Sequence, residues 1–156
     1  MAAEEAANLA DKNVAVVPSK SIPEGMAALI AFDPKNTLRE NQEAMTNAMQ
    51  YVKTGLVTTS VRDTKIGELQ INKGDVIGIA ENEIVSAGTA FLPVVEKILH
   101  HLVDDDCELV TFIRGKDVNE AATEQLIEEL ERQFPDVEFE LHHGEQPVYS
   151  YIISIE

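Results

Sequence analysis

The chain predicts an α/β fold, a sheet with flanking helices into which an antiparallel β-meander is inserted. Three observations predict it. Short apolar runs at residues 13–17 (NVAVV) and 109–113 (LVTFI) have the near-continuous hydrophobicity of strands covered on both faces. Stripes at helical spacing, such as Leu92, Val95, Leu99 and Leu102, flank the second of these runs. Between residues 54 and 87 the pattern shortens to β-rich segments punctuated by turn residues.

Taken in order, residues 2–10 are rich in alanine and glutamate and read as a helix, and residues 13–17 follow as a buried strand. Residues 26–32 (MAALIAF) are apolar all round, the signature of a buried helix ending near Asp33-Pro34. Thr37-Leu38-Arg39-Glu40 has the form of a capping box, after which Leu38, Asn41, Met45, Ala48 and Val52 recur at helical spacing. The meander comprises segments 56–63, 66–71, 76–80 and 84–85, with turns at Ile66-Gly67, Lys73-Gly74-Asp75 and Glu81-Asn82-Glu83. A helix over 89–103, the strand 109–113 and a helix over 119–134, with Ala122, Leu126, Ile127 and Leu130 facing inward, come next. Val137, Phe139 and Leu141 alternate with polar residues, so their strand has one wet face, and residues 148–155 close the chain as a strand. The expected division is 1–53, an α/β part, 54–88, the meander, and 89–156, a second α/β part.

With 156 residues the chain is long enough for one domain or two small lobes. Twelve basic residues against 28 acidic ones give a formal charge of −16, which repels phosphate backbones and anionic membrane surfaces. Nucleic acid is therefore not an expected partner, and the acidic runs Asp104-Asp105-Asp106 and Glu128-Glu129 read as solvated faces. The single cysteine, Cys107, cannot form an internal disulfide and suits a reducing compartment as a buried thiol. The first residues lack the basic start and apolar run of a signal peptide, and no apolar stretch approaches 18 residues. The expectation is a cytoplasmic protein without membrane insertion.

Residues 18–25 (PSKSIPEG) support two readings. Ser21 with Glu24 three residues later is a second capping box, and Pro23 sits in the first turn, where its missing N–H costs nothing. Alternatively, the free N–H groups of that turn, with Ser19, Lys20 and Ser21 as further donors, form a cradle for a carboxylate or phosphate. Arg62-Asp63 lies at a strand end before a turn, either as an exposed ion pair or as a contact for a partner; an exposed pair contributes only about 0–1 kcal/mol, so stability is a weak reason for it. Neither His100-His101 nor His142-His143 has the spacing of a zinc site, since neighbours diverge on a helix and alternate on a strand. Tyr149 and Tyr151 are expected to share one face of the last strand, at the edge of the core. Phosphate-loop, dinucleotide and nucleophile-elbow motifs are absent, and no catalytic or metal-binding residue is assigned.

The segments VPSKSIPEGMAALIAFDP, TTSVRDTKIGELQINKGDVIGI and FPDVEFELHHGEQPVYSYIISIE together resemble the C-terminal domain of the dihydroxyacetone-kinase-like fatty acid kinase A subunit, over essentially the whole chain. That resemblance implies a DegV-like α/β fold. It also implies that a strand and turn precede the first helix in the family, so that residues 1–53 are an N-terminally truncated part. In the family a separate kinase domain uses ATP and magnesium to phosphorylate a fatty acid held by a DegV-type carrier. The implied role of this chain is non-catalytic docking of the carrier, with no cofactor of its own, and Ser19, Lys20, Ser21, Arg62 and Asp63 are the contact candidates. In DegV-type carriers a serine-rich loop at the position of residues 19–23 holds the fatty acid carboxylate; Lys20 and Glu24 depart from its Thr-Ser-Gln-Pro pattern. The alternative is a small-anion or lipid-binding module built on residues 19–25, and a homodimer is left open.

Overall fold

A computed structural model describes residues 2–156, which form two compact units, Met1–Val52 and Lys53–Glu156. The first is helical: α1 (Ala2–Leu9), α2 (Ile22–Ile30), α3 (Leu38–Ala48) and a 3-10 turn (Met49–Tyr51). Both expected capping boxes are formed. Ser21 Oγ accepts from Glu24 N and Thr37 Oγ1 from Glu40 N, while each glutamate returns a carboxylate oxygen to the backbone of its cap. The link between α2 and α3 is closed by Asn41, which is buried and exchanges two hydrogen bonds with the Asp33 backbone, Asp33 N to Oδ1 at 2.9 Å and Nδ2 to Asp33 O at 2.8 Å.

Two expectations for this unit are corrected, the strand at residues 13–17 and the all-round burial of the apolar helix. Residues 13–17 do not form a strand, because a strand needs a hydrogen-bonded neighbour and unit 1 contains no other extended segment to supply one among the described residues. The segment is instead tied through its side, with Gln42 Nε2 donating to Val16 O at 3.0 Å. The apolar helix starts at Ile22, where the Ser21 cap sets it, but it is not buried all round. Its buried residues are the small Pro23 and Ala28, whereas Ile22, Met26, Leu29 and Ile30 face solvent.

Unit 2 contains β1 (Lys53–Thr59), β2 (Thr64–Ile66), β3 (Leu69–Ile71), β4 (Val76–Ala80), β5 (Glu83–Gly88), α4 (Phe91–Leu102), β6 (Leu109–Arg114), α5 (Glu120–Gln133), β7 (Glu138–His143) and β8 (Tyr149–Ile155). Six strands form one sheet in the order β5-β4-β1-β8-β6-β7, and β2 pairs with β3 in a separate hairpin. Every pairing in the large sheet is antiparallel except β6 with β7, which are joined by the α5 crossover and run parallel. The antiparallel meander is present, but β1, β4 and β5 are built into the sheet that β6, β7 and β8 complete; only the β2–β3 hairpin stands apart.

The core gathers Val94, Val95, Ile98 and Leu99 of α4, Leu126 and Leu130 of α5, and the inward residues of the strands. In α5 the buried polar position is Thr123, and Ala122, expected inside, is exposed. α4 lies so close to the sheet that a Cβ on Gly78 would come within 2.8 Å of Val94 Cγ1 and 2.4 Å of Ser86 Oγ, which is why β4 carries glycine there. Tyr151 is the largest side chain in the core, with Phe91 and Phe112 edge-on to it at 5.4 and 5.6 Å. A bulge at Ser150 separates it from the half-buried Tyr149, so the even alternation expected of the two tyrosines is interrupted.

Candidate functional site

The five sequence candidates fall in two places. Ser19, Lys20 and Ser21 precede α2 in unit 1, and Arg62 and Asp63 follow β1 in unit 2. At the first place part of the anion cradle is already used. The Glu24 carboxylate accepts from Lys20 N and, at 3.3 Å, from Ser21 N, and Ser21 Oγ is the cap for Glu24 N at 3.2 Å. An incoming carboxylate would have to displace a covalently tethered one and then sit beside it.

At the second place the backbone is pinned from several sides. Ser60 N donates to Asp75 O at 2.8 Å, Gly74 N to Ser60 O at 2.9 Å, and Ser60 Oγ to Arg62 O at 2.6 Å. Asp63 Oδ1 accepts from Lys73 N at 2.7 Å, so this carboxylate is a turn-forming group and not the ion-pair partner of Arg62. Asp75 completes the turn by accepting from Asn72 N at 2.8 Å. The result is a fixed tip that presents Val61, 83% exposed, beside the exposed Arg62. The Arg62 guanidinium makes no ion pair among the described residues. An exposed apolar side chain beside an arginine on a pinned backbone suits a protein contact, because little backbone order has to be imposed on binding.

Sequence reasoning missed a cluster at the same end of the sheet. β6 and β7 are parallel, so their last residues, Arg114 and His143, pair in register. Arg114 is drawn in, with its side chain 11% exposed, and donates from Nη1 to Val118 O and from Nη2 to His143 Nδ1 at 2.7 Å. Because the arginine can only donate, the ring proton belongs on Nε2, which faces Glu120 Oε1 at 3.4 Å on the first turn of α5. The cluster thereby fastens the ends of β6 and β7 to α5. Arg114 Nε and Gln146 Oε1 nearby are buried and have no partner among the described residues. The available signal was an arginine directly after a run of five residues read as a buried strand, followed at the end of the next strand by a histidine pair.

The loop after β7 is strained. Val148 has φ 74°, a conformation costly for a β-branched residue, and is 74% exposed while its carbonyl accepts from Thr58 Oγ1 at 2.8 Å. Thr58 lies three residues before Val61, so both exposed valines belong to one end of the sheet. His142 pairs with Glu140 at 3.3 Å on the opposite side of β7 from the cluster. Among the described residues, no group of three or more histidine, cysteine, aspartate or glutamate side chains is placed to hold a metal ion, and no helix is long and apolar enough to cross a membrane.

Comparison with solved structures places this fold. A DegV family protein from Corynebacterium glutamicum aligns over 97% of this chain and 67% of its own, with TM-score 0.63 and 15% identity. The fatty acid kinase B3 protein of Streptococcus pneumoniae, loaded with linoleic acid, aligns over 78% of this chain and 50% of its own, with TM-score 0.53 and 18% identity. The fold is DegV-like. Among curated sequences, an uncharacterized protein of Staphylococcus haemolyticus is 40% identical and one of Staphylococcus aureus 42% identical over all 156 residues. This chain spans 28% of the length of each of those relatives. The family model for the FakA-like C-terminal region, that of proteins like the fatty acid kinase A subunit, matches residues 1–156.

Proposed function

The chain belongs to the FakA-like C-terminal family, and from that premise we propose that it is a non-catalytic docking domain of a fatty acid kinase. It holds a fatty-acid-carrying DegV-type protein so that the acyl carboxylate meets a kinase site on other segments of the full-length polypeptide. Positioning of this kind removes several kcal/mol of barrier by turning an encounter of two proteins into a local reaction. ATP and magnesium are assigned to the kinase site. No phosphate loop occurs in the sequence, and among the described residues no group of three or more histidine, cysteine, aspartate or glutamate side chains is placed for a metal.

The observation that carries the reading is the Val61-Arg62 tip, exposed and fixed by hydrogen bonds to Ser60, Asp63 and their partners. Arg62 is the contact residue and Asp63 the group that holds the turn under it. The lipid or small-anion alternative at residues 19–25 is less well supported, because the Glu24 carboxylate already takes the backbone N–H groups of Lys20 and Ser21 and sets a negative charge beside any anion.

A binding titration of the chain against a fatty-acid-loaded DegV-type carrier tests the proposal. Arg62→Ala is expected to weaken binding by about tenfold or more, the scale of an interface hot spot, with the melting temperature unchanged. Asp63→Ala is expected to weaken it together with the stability of the turn. Undiminished affinity in an Arg62→Ala, Val61→Asp double variant would sink the docking role of this tip.

A further inference from the structure

Among the described residues, those other than glycine with positive φ are Glu81, Asn82, Glu145 and Val148. Glu81 and Asn82 are the two-residue connection of the β4–β5 hairpin, where a left-handed pair matches the twist of the strands. Val148 has no such reason. It is the central residue of a three-residue turn that Tyr149 N closes onto Pro147 O at 2.9 Å, and at φ 74° this is the rare, strained form of the turn. Glycine suits such a backbone, whereas a β-branched side chain crowds it. Burial does not offset the strain, since Val148 is 74% exposed.

The surroundings impose this conformation. Lys116 N donates to Gln146 O at 3.2 Å, Gly144 N to Arg114 O at 3.0 Å and Gln146 Nε2 to Ile113 O at 2.9 Å, so the loop is fastened to the end of β6 on both sides of Glu145. Gly115 lets the two segments approach, because a Cβ there would come within 2.3 Å of Tyr149 O. Thr58 Oγ1 then donates to Val148 O at 2.8 Å. Strain fixed this thoroughly, around a side chain that the core does not use, calls for a reason outside the chain.

We propose that Val148 is a second contact residue for the DegV-type carrier, with Thr58 as the positioning residue that holds its turn. The assignment rests on the docking role of the Val61-Arg62 tip, and two observations tie Val148 to the same partner. One is continuity: Thr58, which anchors Val148, precedes Val61 by three residues, at most about 11 Å of extended chain. The two valines and Arg62 therefore fit inside one interface of ordinary size. The other is charge. Arg62, Lys73, Arg114 and Lys116 gather at this end of the sheet, where an acidic partner surface meets the least repulsion from a chain of net −16. The matching surface on the carrier is a carboxylate for Arg62, flanked by apolar side chains for Val61 and Val148.

Titration of the chain against a fatty-acid-loaded DegV-type carrier, run beside urea unfolding, tests the assignment. Val148→Gly relieves the strain and removes the apolar contact. It is expected to unfold at the same or a higher urea concentration than wild type and to bind the carrier about tenfold more weakly. Thr58→Val, which lacks the hydroxyl under the Val148 carbonyl, is expected to weaken binding several-fold, and Thr58→Ser to restore it. A Val148→Gly chain that binds as wild type, while Arg62→Ala weakens binding, overturns the assignment and leaves the docking tip standing. A Val148→Gly chain that unfolds at lower urea overturns it as well, because the valine then serves the fold. A wild-type chain that does not bind the carrier overturns the docking reading and this assignment with it.

Discussion

Tyr151 combines the largest buried side chain of unit 2 with one polar atom that needs a partner, and the partner is Thr123 Oγ1 at 3.0 Å. Thr123 spends its only proton on Asn119 O at 3.0 Å, so in the buried pair the phenol must donate. Tyr151→Phe keeps the ring contacts with Phe91 and Phe112 and leaves the Thr123 oxygen with one bond fewer, which is expected to cost about 1 kcal/mol in urea unfolding near neutral pH. The same hydroxyl predicts a difference in alkali. Burial pushes the Tyr151 phenol up from its ordinary value, with the hydrogen bond to Thr123 opposing. A group whose folded value is raised holds its proton more tightly when folded. Its contribution is therefore fully present below the unfolded value of about 10 and is lost as pH rises through the folded one. Wild type is expected to lose more stability than Tyr151→Phe between about pH 9 and pH 11; parallel losses in the two proteins would show that the phenolate is not what the fold resists.

At the level of the element, what was legible in the sequence is what is settled within a few residues. Ser21 with Glu24 and Thr37 with Glu40 announce helix starts because all partners of a capping box lie within one turn, and both boxes are formed. α4, α5 and the strands of unit 2 are legible for a related reason, since their periodicity records which face is covered. The failures share a cause of the opposite kind. Residues 13–17 have the composition of a strand, but pairing is supplied from outside the segment, and no neighbour is present among the described residues of unit 1. The apolar run of α2 told that the helix was hydrophobic without telling which side the rest of unit 1 would cover. The Arg114, His143 and Glu120 cluster depends on parallel strand ends and a crossover helix meeting across 29 residues of chain, which no local pattern encodes. Of the site, the position of Arg62 at a strand end was legible, while the turn role of Asp63 depends on Lys73, ten residues away. The caps also give a quantitative expectation. Ser21→Ala removes the oxygen that accepts from Glu24 N and should cost unit 1 about 1 kcal/mol, read as loss of helical circular dichroism at a lower urea concentration. Ser19→Ala, just outside the box, should leave that midpoint in place, and equal effects at the two serines would refute the assignment of the cap to Ser21.

Across the molecule the charge is distributed unevenly, and the sheet of unit 2 makes the unevenness spatial. At the end where β1, β6 and β7 begin and β4 and β8 finish lie Glu81, Glu83, Asp104, Asp105, Asp106, Glu108, Asp136, Glu138 and Glu156, against the bases Lys53 and Arg132, the latter in the last turn of α5. Lys53 is held there by Leu102 O at 2.8 Å and by the Asp104 carboxylate, whose pKa it lowers through that hydrogen bond. The opposite end carries Arg62, Lys73, Arg114 and Lys116 among its acids and is close to balanced. Two attractive pairs, Lys53 with Asp104 and Arg132 with Glu129, cannot offset so many repulsions in the folded state, whereas the unfolded chain spreads the same charges apart. Salt therefore acts mainly on the repulsive side: between about 10 mM and 1 M the screening length shrinks from about 30 Å to about 3 Å. Thermal unfolding is expected to shift upward by several degrees over that range of sodium chloride, at about 2–4 °C per kcal/mol for a chain of this size. Lys53→Met should melt earlier than wild type at low salt, with the gap closing as salt is added, because what it removes is a screened attraction within the acidic end. A melting temperature that stays flat or falls with sodium chloride would mean that repulsion at this end of the sheet is already relieved by another route.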